Sequence, residues 1–277
     1  MNRTPTPPLP PATEPAEGAV RWTGLLRCEL IKLTSLRAMR WTLVALGVLI
    51  VGAGVAITAG STTGARPADV RPGDIAAAFS IPLSGTVLAR GLVAAFGVVA
   101  ATGDLGTGMT RTTLMAAPRR GRLLLAKAGV VALLSAGVCT PAVIMVWLIG
   151  NARLSHHGLN FPLASSHAWL ALAGNVAVLV GLALAGLATG VLMRSAAAAI
   201  CAVLGAILVV PVILQLLPAG GLTDVLNRWW LTETITNTVD VVDHTAALPG
   251  GAGLLAFSAW LVLLCAAAAA SFTSRTA

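Results

Sequence analysis

Residues Gly103–Lys127 read GDLGTGMTRTTLMAAPRRGRLLLAK. The stretch sets Arg111, Arg119, Arg120, Arg122 and Lys127 against a single acid, Asp104, and lies between two long apolar runs. Lys and Arg close to the ends of membrane spans are retained on the cytoplasmic side. A short, strongly basic segment between two spans therefore reads as a cytoplasmic loop, and its side sets the direction of every other span.

The rest of the composition agrees. Of 277 residues, 57% are hydrophobic and only 10% are charged, where a soluble domain carries about 25% charged residues. Several runs exceed the roughly 18 apolar residues that a spanning helix needs. The expected class is all-α: a polytopic membrane protein of about six transmembrane helices. The net charge of +8 raises nucleic-acid binding, but the cations cluster at span ends, where they meet lipid phosphates and set topology. No nucleic-acid partner is expected. Cys28, Cys139, Cys201 and Cys265 show no paired spacing, and three of them lie within apolar runs as small hydrophobes.

Residues 1–20 are Pro-rich with no apolar segment, which reads as a disordered cytosolic tail rather than a signal peptide. Residues 21–277 read as one transmembrane domain. Arg21–Arg40, RWTGLLRCELIKLTSLRAMR, places Trp22, Leu25, Leu26, Leu30, Leu33 and Leu36 on one side of a helix. This predicts an amphipathic helix in the membrane interface. Glu29 interrupts the apolar face, and Lys32 is close enough to pair with it. The pair reads either as a solvated ion pair or as a contact for a cytosolic partner.

Spans are expected at about 41–60, 81–102, 123–149, 169–193, 196–217 and 251–271. Trp41 and Trp147 are expected at headgroup level, at the start of the first span and the outer end of the third. Arg90 lies within the second span, where a charge costs at least about 2.5–3.5 kcal/mol unless it faces protein or water. It could snorkel outward as an anchor or line a pathway. Pro141 should kink the third span. Gly181, Gly186 and Gly190 suit close helix packing in the fourth. The connection between the last two spans is the longest; its Trp229 and Trp230 favour an interface, and 222–231 and 233–242 could form short, re-entrant helices. His156, His157 and His167 match no metal-site spacing and read as exposed loop histidines. With this topology, thirteen cations fall on the cytoplasmic side and four outside, so both termini are expected in the cytoplasm.

Several chemistries have no residues to carry them. There is no G-x-x-x-x-G-K-[ST], no H-E-x-x-H and no G-x-S-x-G, so neither P-loop ATP hydrolysis nor these hydrolase mechanisms are expected. No catalytic, cofactor-binding or metal residue is nominated. The predicted spans hold no Asp or Glu, whereas an ion-coupled carrier usually needs an intramembrane carboxylate.

Two segments carry a resemblance. Glu29-Leu-Ile-Lys32-Leu33-Thr-Ser35-Leu-Arg37 resembles the E-x-x-K-L-x-S-x-R lead-in of bacterial ABC-2 type permeases. Gly103-Asp104-Leu-Gly-Thr-Gly108-Met-Thr-Arg111, with Pro118, Arg120 and Lys127 downstream, resembles their G-E-[aromatic]-x-x-G-x-x-R segment, and the chain looks most like actinobacterial members. Asp104 stands where the family usually has Glu, and Leu105 where an aromatic is common. The resemblance implies the permease subunit of an ATP-binding cassette exporter in the plasma membrane, dimeric and paired with a separate cytosolic ATPase that binds ATP and magnesium. It implies that Asp104, Gly108, Arg111, Pro118, Arg119 and Arg120 belong to a coupling segment that docks on the ATPase. Glu29, Lys32 and Arg37 would make the contact of the lead-in helix beside it. Asp104 and Arg111 could pair to fix the shape of the segment. Arg111, Arg119, Arg120 and Arg122 read otherwise as topology determinants bound to lipid phosphate. A non-transporting membrane scaffold or sensor subunit is the alternative function.

Overall fold

The computed structural model describes residues 22–63, 80–106, 120–156, 166–218, 220–221, 229–230 and 250–274. Every regular element among them is helical. The helices are α1 (Trp22–Ser35), α2 (Arg37–Thr63), α3 (Gly85–Gly106), α4 (Arg120–Ser155), α5 (Ser166–Met193), α6 (Ala196–Leu204), α7 (Val210–Leu216) and α8 (Gly250–Ser274), with a π-helical turn at Gly205–Val209 joining α6 to α7. Six stretches are long and apolar enough to cross a membrane: Arg37–Ser61, Ser80–Gly103, Gly121–Ser155, Ala171–Met193, Ala196–Leu216 and Gly253–Ser271. The chain has the make-up of a multi-pass membrane protein. The spans fall where the hydrophobic runs place them, except that the third is longer. At 1.5 Å per residue the 36 residues of α4 reach about 54 Å, against roughly 30 Å of bilayer hydrocarbon.

Because lipid is as apolar as leucine, helices in a bilayer associate through close packing and interhelical hydrogen bonds rather than through escape from solvent. Small residues show where this happens. α3 and α5 form the central pair. A Cβ at Gly97 would collide with the Ala183 carbonyl, and one at Gly186 with the Ala94 carbonyl. Gly190 lies against Ala101 and Val98. Gly181 instead makes room for Phe257 of α8. α2 crosses the start of the second span in the same way, with the Gly54 and Gly85 backbones touching. The remaining spans sit outside this pair and turn long apolar faces outward, among them Trp41, Val48, Leu216 and Leu255.

Local chemistry explains the joints. Thr34 and Ser35 donate side-chain hydrogen bonds back to the carbonyls of Leu30 and Lys32, which competes with continuation of α1. Leu36 is non-helical, and α2 starts at once. Between α5 and α6 only Arg194 and Ser195 intervene. Arg194 takes a left-handed φ of 53° and its N–H bonds the Gly190 carbonyl at 3.0 Å, an αL helix end. Ser195 then caps α6, accepting from the Ala198 N–H.

Trp147 departs from expectation. It is 0% exposed rather than at headgroup level. α4 runs on to Ser155, so this tryptophan is not at a helix end. Protein walls surround that level of the helix, where Val146 meets Gly54 and Gly150 packs on Pro82.

Candidate functional site

Two of the buried charges among the described residues, Glu29 and Lys127, lead to a site at the end of the bundle that carries Arg27, Arg37, Arg40 and Arg194. There α1 lies along α4, with Leu26 over Gly129. Positions 26, 29, 30 and 33 share one helix face, so Glu29 points the same way as Leu26, Leu30 and Leu33. It is 1% exposed. Lys32 donates to Glu29 Oε1 at 3.0 Å. On the other side Lys127 Nζ lies 3.2 Å from Glu29 Oε2, an ion-pair approach without hydrogen-bond alignment. Lys127 also donates to the Ala100 carbonyl at 3.2 Å. That carbonyl belongs to α3, six residues before its end.

This arrangement changes two readings. The Glu29–Lys32 pair is not a solvated one, because its carboxylate is enclosed. Lys127 is not a surface cation of the basic loop, because it is 7% exposed and sits two turns into α4. One ammonium joins α1, α3 and α4. Breaking such a buried pair typically costs about 3–5 kcal/mol, since the remaining charge stays buried.

The structure places the other nominated residues unevenly. Arg37 is exposed at the first position of α2. Asp104 lies in the last turn of α3 and Arg120 opens α4. Gly108, Arg111, Pro118 and Arg119 lie outside the described residues, as do residues 1–20 and the Asp104–Arg111 pairing. The two ends that hold residues 107–119, α3 and α4, are those that Lys127 ties to α1.

Arg90 lies near the middle of the second span, about 15 Å from Ser80 at 1.5 Å per residue. It is 8% exposed and so faces protein rather than lipid. One turn away, Thr86 donates to Asn175 Oδ1 of α5 at 3.1 Å, and Asn175 donates to the Ala171 carbonyl at 3.2 Å. Both side chains are buried. Sequence reasoning singled out neither, since a lone Thr and a lone Asn in apolar runs carry no spacing signal.

A second contact set unites the last two spans. Trp230 donates its indole N–H to the Ala206 carbonyl at 3.1 Å, and Trp260 donates to the Trp229 carbonyl at 3.0 Å. The rings of Trp230 and Trp260 meet edge to face, with centroids 5.9 Å apart. Ala206 is the middle residue of the fifth span, so Trp229–Trp230 reaches to mid-span depth. The rest of the first predicted re-entrant helix, 222–228 and 231, and all of the second, 233–242, lie outside the described residues. An apolar groove of about 610 Å³ also opens between α4, α5 and α8, lined by Ile144, Trp169, Val180, Phe257 and Leu261 among others. Among the described residues no cluster of three His, Cys, Asp or Glu side chains could hold a metal. His156 is exposed, and the side chains of His157 and His167 lie outside the description.

Comparison with models of protein families and with curated proteins finds no match.

Proposed function

We propose that this chain is the permease subunit of an ATP-binding cassette exporter of the ABC-2 type. It would work as a dimer in the plasma membrane, moving its substrate with ATP hydrolysed by a separate cytosolic subunit. The observation that carries this reading is the Glu29–Lys127 ion pair. The two segments bearing the family resemblance, the lead-in around Glu29 and the basic stretch after Gly103, are far apart in sequence. Lys127 draws their supporting helices to one end of the bundle. A motor that pushes on residues 107–119 would there meet helices already joined to α1. The spans hold no carboxylate, which favours an external energy source over ion coupling.

In this reading the basic end faces the cytoplasm, both termini lie there, and Asp104, Gly108, Arg111, Pro118, Arg119 and Arg120 contact the ATPase. Arg37 makes the contact of the lead-in helix beside it, and the exposed Arg27 and Arg40 hold lipid phosphates nearby. The test is affinity purification of the chain from its native membrane, followed by ATPase assays on the recovered complex. A copurified P-loop ATPase is expected, with Asp104→Lys or Arg111→Glu separating hydrolysis from transport. Recovery without an ATPase, or a reporter placing Arg119 on the outer face, would overturn the proposal.

A further inference from the structure

The π-helical turn in the fifth span has a specific chemical origin. The Val210 N–H bonds the Gly205 carbonyl, one residue further back than an α-helix would reach. That removes the usual donor of the Ala206 carbonyl, which is Val210 itself. The next nitrogen along, at Pro211, carries no hydrogen. Ala206 therefore presents a carbonyl with neither of its possible helical donors, at the centre of a membrane span. At that depth there is no bulk water to supply one, and a bare carbonyl is strongly unfavourable. Trp230 fills the vacancy from outside the helix. Its ring is held by Trp260, which also fixes the neighbouring Trp229 carbonyl.

We infer that Gly205–Val209 is a hinge in the fifth span and that Trp230 is its latch. With the indole seated, the Ala206 carbonyl of the π-turn has its donor. With the indole withdrawn, the Ala206 carbonyl must find another donor, which only a change of helix geometry or an entering water can provide. The two settings thus differ in the bend of α7 against α6, and Trp230 selects between them. π-turns and prolines are where helices bend sharply, and hinges are short segments that absorb backbone change. This inference needs only that the fifth span lies in a bilayer, so it stands or falls separately from the exporter proposal.

The test uses the full chain in lipid nanodiscs and a double-mutant design. Trp230→Phe keeps an aromatic ring against Trp260 but loses the donor. Pro211→Ala gives position 211 an N–H that can serve Ala206 from within the helix. Amide exchange across the fifth span should rise by about tenfold in W230F. In the P211A background the same substitution should change exchange less than about twofold. The bend is read by spin labels on native Cys201 and on Ile213→Cys, both exposed sites, with the other cysteines replaced by Ala or Ser. A single narrow distance is expected in the parent, a broadened or doubled one in W230F, and a single one in W230F/P211A. Equal effects of W230F in the two backgrounds would overturn the latch, and so would an unchanged distance in W230F alone. If W230F does not fold, recovery of folding in W230F/P211A supports the latch and failure in both backgrounds overturns it.

Discussion

The two ends of the helix bundle are tied by different forces. At the basic end the buried Glu29 carboxylate, paired with Lys32 within α1, is joined to α3 and α4 by the single ammonium of Lys127. Toward the opposite end α2, α3 and α5 meet through neutral groups, with touching Gly54 and Gly85 backbones and a Thr86–Asn175 hydrogen bond. A charged tie is costly to break on one side and nearly indifferent to removal of both partners. A neutral tie in an apolar medium is worth less but carries no such asymmetry. The charged end is therefore the place where a change of partner has a large consequence.

The sharpest way to test the contrast is Glu29→Leu, which leaves Lys127 enclosed without its carboxylate. It should lower unfolding stability in detergent or nanodiscs by about 3–5 kcal/mol. Adding Lys127→Met should restore most of the loss, and a double mutant no better than E29L would break the comparison. Next is Gly186→Val, which drives a side chain into the Ala94 carbonyl. It should cost about 1–3 kcal/mol, while Gly52→Val, at a position with open space, should cost little by the same thermal measurement. At the neutral end, a Thr86→Val and Asn175→Leu cycle should give a coupling of about 0.6 kcal/mol; a coupling as large as that of Glu29 with Lys127 would erase the distinction. The last expected effect is a gain. Arg194→Gly relieves a left-handed backbone and should stabilise the chain by no more than about 1 kcal/mol, seen as a slightly raised melting temperature.

What could be read from the sequence follows from how local the signal is. Six spans were legible because each is a run of roughly twenty apolar residues with almost no charge, and nothing in the fold competes with that requirement. The Glu29–Lys32 spacing was legible because one helical turn brings the two together. Lys127 was not. It belongs to a basic stretch whose other members mark topology, and only the packing of α1 on α4 distinguishes it from Arg122. Trp41 and Trp147 carry the same signal, an indole near a span end. Only the length of α4 and its crossing with α2 put one at the surface and the other in the core. The donor that serves the Ala206 carbonyl of the fifth span lies in the following connection, beyond any local pattern. Gly108, Arg111, Pro118 and Arg119, proposed as coupling residues, fall outside the described residues, so that role rests on resemblance.

The junction between α5 and α6 has a mechanical consequence. Two residues, one already forced into an unusual backbone angle and the other spent as a cap, leave no slack. A connection this short keeps the end of α5 and the start of α6 within a few ångströms of each other however either helix tilts. Any larger displacement of the fifth span's far half has to arise further along, where the regular ladder of backbone bonds is interrupted.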